Sequence, residues 1–151
     1  MIQRIQSLYL FIVSLFYFLY FFFGFKYYKI GYVFLEKYLG NYSFYFFKFT
    51  SLIPILISTI CFIALLLFRK RLVQIRLSKI ALYISIFMSF YSLVYFSFSL
   101  NFLVTMMDSN LMKVLLYSAI LNPFFSTYLI FIAIKSIEKD EKLVRGESLI
   151  R

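Results

Sequence analysis

Four stretches without a charged residue divide this chain: Ile5 to Phe25, Phe49 to Phe68, Ile80 to Met107 and Val114 to Ile134. Each is long enough to cross a bilayer, because about 20 helical residues at about 1.5 Å rise span a hydrocarbon core of about 30 Å. Thirteen of the nineteen residues from Ser7 to Phe25 are Leu, Ile, Val or Phe. At helix-centre insertion values they contribute about −4 to −8 kcal/mol, which offsets the serine and tyrosines among them. The third run, about 42 Å as a straight helix, is longer than the hydrocarbon layer, so its helix should tilt or leave the membrane near Leu100 and Asn101. These runs predict an all-α fold: a polytopic membrane protein whose four transmembrane helices, about 5–25, 49–68, 80–100 and 114–134, form one antiparallel bundle.

The opening MIQRIQSLYL could begin a cleaved secretion signal or a permanent anchor. A signal peptide has a short apolar core followed by a small-residue cleavage site. The first run is longer and contains no A-x-A-like step, so it is expected to remain as helix one.

Charge sets the expected orientation. An even number of crossings puts both termini and the basic loop 69–79, RKRLVQIRLSK, on one side. That side carries eleven of the sixteen basic residues and all six arginines; the other carries Lys26, Lys29, Lys37, Lys48 and Lys113. The positive-inside rule makes the richer side cytoplasmic, an N-in/C-in topology with a charged cytoplasmic tail at 135–151. Segment 26–48 is then an extracytoplasmic loop, with six tyrosines and two glycines in 23 residues. Its amphipathic rings suit the depth of the headgroups, and docking of an envelope partner is the other reading.

Much chemistry is missing. There is no histidine and one cysteine, Cys61, which lies inside an apolar run, so no disulfide framework or metal-ligand spacing exists and no cofactor is expected. None of the four runs carries the intramembrane charge that marks ion and proton pathways. A catalytic site needs convergent titratable groups, and an enzyme is therefore not expected. The net charge of +10 does not imply nucleic-acid binding, since the basic residues flank apolar runs and no recognition motif accompanies them. The implied partners are the lipid bilayer, anionic headgroups at the basic loop, and a membrane protein.

Helices in lipid associate through small residues that permit close approach. Ser78, Ala81, Ser85, Ser89, Ser92 and Ser99 fall on one stripe of helix three at 100° per residue. Ala119, Asn122, Ser126 and Ala133 make a second stripe on helix four, and Ser7 and Ser14 a short one on helix one. Bundle packing is one reading of these stripes and a polar translocation path the other. Pro123 should kink helix four, whereas Pro54 is read as a tolerated early-turn residue of helix two. In the tail, KSIEKDEKLVRGESLIR, Glu138 with Lys142 and Glu141 with Arg145 stand in the favourable i, i+4 order, so helix four should continue to Gly146. The tail is read either as a solvated helix end or as a partner-binding handle. Chelation by Asp140 and Glu141 is disfavoured because adjacent helical side chains diverge by about 100°.

MIQRIQSLYL, the LVQIRLSK of the basic loop and the KDEKLVR of the tail together resemble domain-of-unknown-function family 4293, small four-helix inner-membrane proteins from Bacteroidota. After Arg145 the chain departs from that family's polar ending and reads GESLIR. The resemblance implies that the N-terminal segment and the tail are both cytoplasmic, but it supplies no activity. Gln3, Arg4, Gln6, Arg76, Asp140, Glu141 and Arg145 are the candidate partner-binding residues, expected on one cytoplasmic platform with Arg4 pairing to a tail carboxylate. The expected role is a non-catalytic accessory or assembly subunit of a membrane complex. The alternatives are a small homo-oligomeric transporter or channel, and a lipid-facing organiser using the tyrosine-rich loop.

Overall fold

The computed structural model describes residues 2–40, 42–107 and 109–149, and the side chains within them except at 2–4, 23–28, 38–39, 43, 46, 49, 145 and 147–149. Among the described residues there are four helices: α1 (Ile2–Leu39), α2 (Tyr42–Leu66), α3 (Arg71–Thr105) and α4 (Asn110–Leu149). No strand occurs among the described residues. Three helical segments, Ile5–Phe22, Arg71–Thr105 and Asn110–Val144, are long and apolar enough to cross a membrane, and Thr50–Leu66 of α2 is a shorter apolar helix.

The helices run longer than their uncharged segments. Segment 26–48, expected as a loop, is a helical hairpin: α1 continues to Leu39 and α2 begins at Tyr42. The charges at Lys26 and Lys29 interrupt the hydropathy but not the phase. Gln6, Leu10, Val13, Tyr17 and Tyr20 are buried at helical spacing, and Tyr32 and Leu35 are buried further along the same helix. Tertiary packing of that seam outweighs the charges of Lys29, Glu36 and Lys37, which are exposed. The chain reverses at Gly40, whose φ of 57° is left-handed and whose amide donates to the Glu36 carbonyl at 2.8 Å.

The basic loop 69–79 is likewise mostly helix. A turn closed by the Lys70 amide on the Leu67 carbonyl at 2.9 Å leads directly into α3, so Arg71 to Lys79 form its first turns. At its other end α3 runs to Thr105 rather than leaving helix near Leu100. Ser109 precedes α4 and accepts the Met112 amide on its hydroxyl, an N-cap. α4 passes through both Pro123 and Gly146 to reach Leu149. Pro54 is not an early-turn residue: with α2 starting at Tyr42, it lies well inside the helix and supplies no amide to the ladder.

Neighbouring helices are antiparallel, as paired positions show. Ser14 meets Ser58 while Tyr32 meets Thr50 on α1 and α2, and Lys79 meets Glu138 while Ser85 meets Thr127 on α3 and α4. Among the described residues α1 and α3 touch each other and both other helices, whereas α2 and α4 do not meet, so α1 and α3 form the short diagonal of the bundle.

The interior combines large apolar side chains such as Leu10, Ile57, Met88 and Ile130 with small and hydroxylated ones, and many large apolar side chains also face outward. Ser78, Ala81, Ser85, Ser89, Ser92 and Ser99 are all buried, as are Ser14, Ala119, Ser126 and Ala133, while Phe11, Phe18, Phe62, Phe90 and Phe98 point outward. Small residues on the buried faces and apolar ones outside suit a chain surrounded by hydrocarbon, where close van der Waals approach drives helix association. Ser14 and Ser58 each donate to the other's backbone carbonyl, at 3.1 and 2.8 Å, which holds α1 close against α2. In mid-bundle Tyr17 lies 2.6 Å from the Ser85 hydroxyl, Ser85 lies 2.6 Å from that of Thr127, and Thr127 donates to the Pro123 carbonyl at 2.7 Å. Asn122 donates to the Phe16 carbonyl and accepts from Ser126, tying the proline region of α4 to α1. Ser14 and Ser85 thus bond across helices, while Ser126 bonds to Asn122 within α4.

Candidate interaction site at the basic end of the bundle

Three long polar side chains lie on seams that are otherwise apolar or small. Gln6 continues the Leu10, Val13, Tyr17 seam of α1 toward the N-terminus. Gln74 continues the Ser78, Ala81, Ser85 seam of α3, and Asp140 the Ile130, Ala133, Ile137 seam of α4. All three are buried, with Gln6 4%, Gln74 3% and Asp140 8% exposed. Helical periodicity thus carries these polar groups into the end of the bundle where α1 begins and α4 leaves.

The contacts made there join the two ends of the chain. The Gln6 amide Nε2 donates to Asp140 Oδ2 at 2.6 Å, and Arg71 Nη1 donates to the Asp140 backbone carbonyl at 3.2 Å. A bond between an amide and a buried carboxylate is charge-assisted and contributes about 1.5–3 kcal/mol. Leaving the carboxylate buried without such a donor would cost more than the bond itself contributes. One turn away, Lys79 Nζ lies 2.7 Å from Glu138 Oε1 and bridges α3 to α4. Beneath these groups Leu10, Ala64, Ala133 and Ile137 close the core.

The sequence-derived residues divide as follows. Gln6 and Asp140 are brought together. Arg76 is exposed on α3, away from Asp140, and Glu141 is half-buried beside it. Gln3 and Arg4 lie in the first turn of α1 and Arg145 near the end of α4, but their side chains fall outside the described residues, and with them the expected Arg4 pairing and the Glu141–Arg145 pair. Gln6 is a described residue of α1 that meets a tail carboxylate. Glu138, expected to pair with Lys142 along its own helix, crosses to Lys79 instead. Sequence reasoning missed Arg71, Gln74 and Lys79. For Gln74 the signal was present, since it stands four residues before Ser78 on the small-residue stripe.

The remaining surface of this end is basic. Arg69, Lys70, Arg76, Lys135, Lys139 and Lys142 are exposed. Lys135 lies over the Phe131 ring at 4.6 Å and Arg69 over Phe68 at 5.7 Å, with their stems along apolar surface and their charges outward. The Lys79–Glu138 pair is open to solvent, with the two side chains 49% and 38% exposed. Lys79→Ala should therefore change stability by less than about 1 kcal/mol. Thermal unfolding in detergent at low and high salt checks this, and a large loss at both would show that the pair acts as a buried bridge.

An all-helical bundle with apolar helices of membrane-crossing length and a hydroxyl-rich interior is the class that this geometry defines. The family described as "Domain of unknown function (DUF4293)" matches residues 2–147, and the chain belongs to that family. No curated protein and no solved structure matches the chain.

Proposed function

We propose that this protein is a non-catalytic accessory or assembly subunit of an inner-membrane complex. In this reading it crosses the bilayer four times, with both termini and the Asp140 junction on the cytoplasmic side. The observation that carries the reading is the Gln6–Asp140 bond. It spends the buried carboxylate of the basic end on closing the bundle and so holds the surrounding basic surface in a fixed shape. A carboxylate committed to an amide is a structural element, and the apolar middle of each helix contains no acid, lysine, arginine or histidine that could carry ions or catalysis. The arginine bias supports the orientation. Anionic headgroups would meet the outer basic side chains, leaving the ends of α1 and α4 to a protein partner.

Purification from native membranes in mild detergent after lysine-directed crosslinking tests the proposal. The expected result is a stoichiometric foreign subunit, crosslinked through Lys70, Lys139 or Lys142. Recovery of a homo-oligomer alone would contradict it and favour a transporter or channel.

A further inference from the structure

We propose that the tyrosine-rich half of the bundle holds an internal water molecule, bound by the Ser92 hydroxyl in a small cavity between α1, α2 and α3. The cavity has a volume of about 30 Å³, and Tyr20, Thr50, Met88, Tyr91 and Ser92 are among the residues that line it. One water needs about 10–15 Å³ measured in this way, together with two to four polar partners, so the space fits water.

Ser92 points to the ligand. It is 1% exposed, and its Oγ has no hydrogen-bond partner. Other serines of α3 satisfy themselves on their own helix: Ser89 donates to the Ser85 carbonyl at 2.9 Å, Ser99 to that of Tyr95 at 2.8 Å and Ser97 to that of Val94 at 2.7 Å. Ser92 departs from this habit at the position where α3 borders the cavity. Ser78 Oγ also lacks a partner, but Ser78 does not line this cavity. A buried hydroxyl left without a bond costs about 1–3 kcal/mol, which a single water recovers.

Tyr91, next to Ser92 on α3, offers a second polar partner. Thr50 Oγ1 lies 2.8 Å from the Tyr32 hydroxyl and donates to the Phe47 carbonyl, and Tyr91 donates to it at 3.4 Å, which leaves the Tyr91 oxygen able to accept from an adjacent water. Water at this point bonds Ser92 and the Tyr91 hydroxyl of α3 beside Pro54 of α2, another lining residue, which supplies no amide.

Two measurements on the full-length protein in lipid nanodiscs test the site. In X-ray hydroxyl-radical footprinting, Met88 and Tyr91 should be oxidised several-fold more than the fully buried Tyr17. In parallel, Ser92→Ala should lower the melting temperature and reduce the labelling of Met88. Labelling at the level of Tyr17 would overturn the proposal. So would a Ser92→Ala protein that melts at the same or a higher temperature, since in a dry cavity the substitution merely removes an unpartnered hydroxyl. If Ser92→Ala fails to fold, the labelling of the unaltered protein decides alone.

Discussion

Replacing Asp140 with leucine is expected to destabilise the bundle by about 2–3 kcal/mol, because it removes a charge-assisted bond and strands a buried amide. Gln6 has only 4% of its surface exposed and donates to that carboxylate at 2.6 Å, so bulk water cannot easily replace the lost acceptor. Asp140→Asn, which keeps an acceptor oxygen, should lose less than half as much. Gln6→Met combined with Asp140→Leu should be far milder than the sum of the single changes, since removing both partners leaves nothing unsatisfied. Chemical or thermal unfolding of the four proteins in one detergent gives the coupling energy directly. Additive losses would mean that the two residues act separately and that the junction is not a unit.

Gly31→Ala should also destabilise, by about 1–3 kcal/mol, with a sign opposite to helix propensity. In an exposed helix the same exchange stabilises by about 1 kcal/mol. Here a Cβ would run into the Tyr95 hydroxyl and come within 3.0 Å of Tyr95 Cζ. Tyr95 is not free to swing away, for its ring packs against Tyr32 at 5.1 Å, Phe96 at 5.1 Å and Tyr91 at 6.2 Å between centroids. Tyr95→Phe removes the atom that would be struck, so the double variant should recover part of the loss. Unfolding midpoints of the two single variants and the double variant check this, and a stabilised Gly31→Ala protein would show that α1 and α3 are less close at that level. With Tyr32, Leu35, Phe47 and Leu103, Tyr95 belongs to the cluster that makes the tyrosine-rich segment part of the fold.

That segment shows where sequence reasoning reached its limit. Absence of charge located the centre of every helix, and the serine stripe of α3 correctly marked its buried face from Ser78 to Ser99. Helix ends were misplaced because hydropathy asks where lipid can be, whereas helix continuation depends on whether one face keeps finding neighbours. Lys26 and Lys29 therefore suggested a boundary that Tyr32 and Leu35 override. At the basic end, Asp140 and Gln6 were singled out because they sit in recognisable segments, but their mutual bond was not. Both carry buried-phase spacing, Asp140 three residues after Ile137 and Gln6 four before Leu10. A stricter reading of periodicity would have paired them as the polar groups at the same end of two apolar seams. Arg71 and Lys79 were not legible in this way, since a residue at the start of a helix finds its partner only once the crossing geometry is fixed.

Single-cysteine accessibility tests the four-crossing, N-in/C-in reading most directly. With the buried Cys61 replaced by alanine, Tyr45→Cys at the exposed tyrosine-rich end and Arg76→Cys at the exposed basic end can each be probed with a membrane-impermeant maleimide. In intact cells the Tyr45→Cys protein should be labelled and the Arg76→Cys protein should not, until the membrane is permeabilised. Labelling of Arg76→Cys in intact cells would contradict the orientation, and with it the assignment of the Gln6–Asp140 junction to the cytoplasmic face.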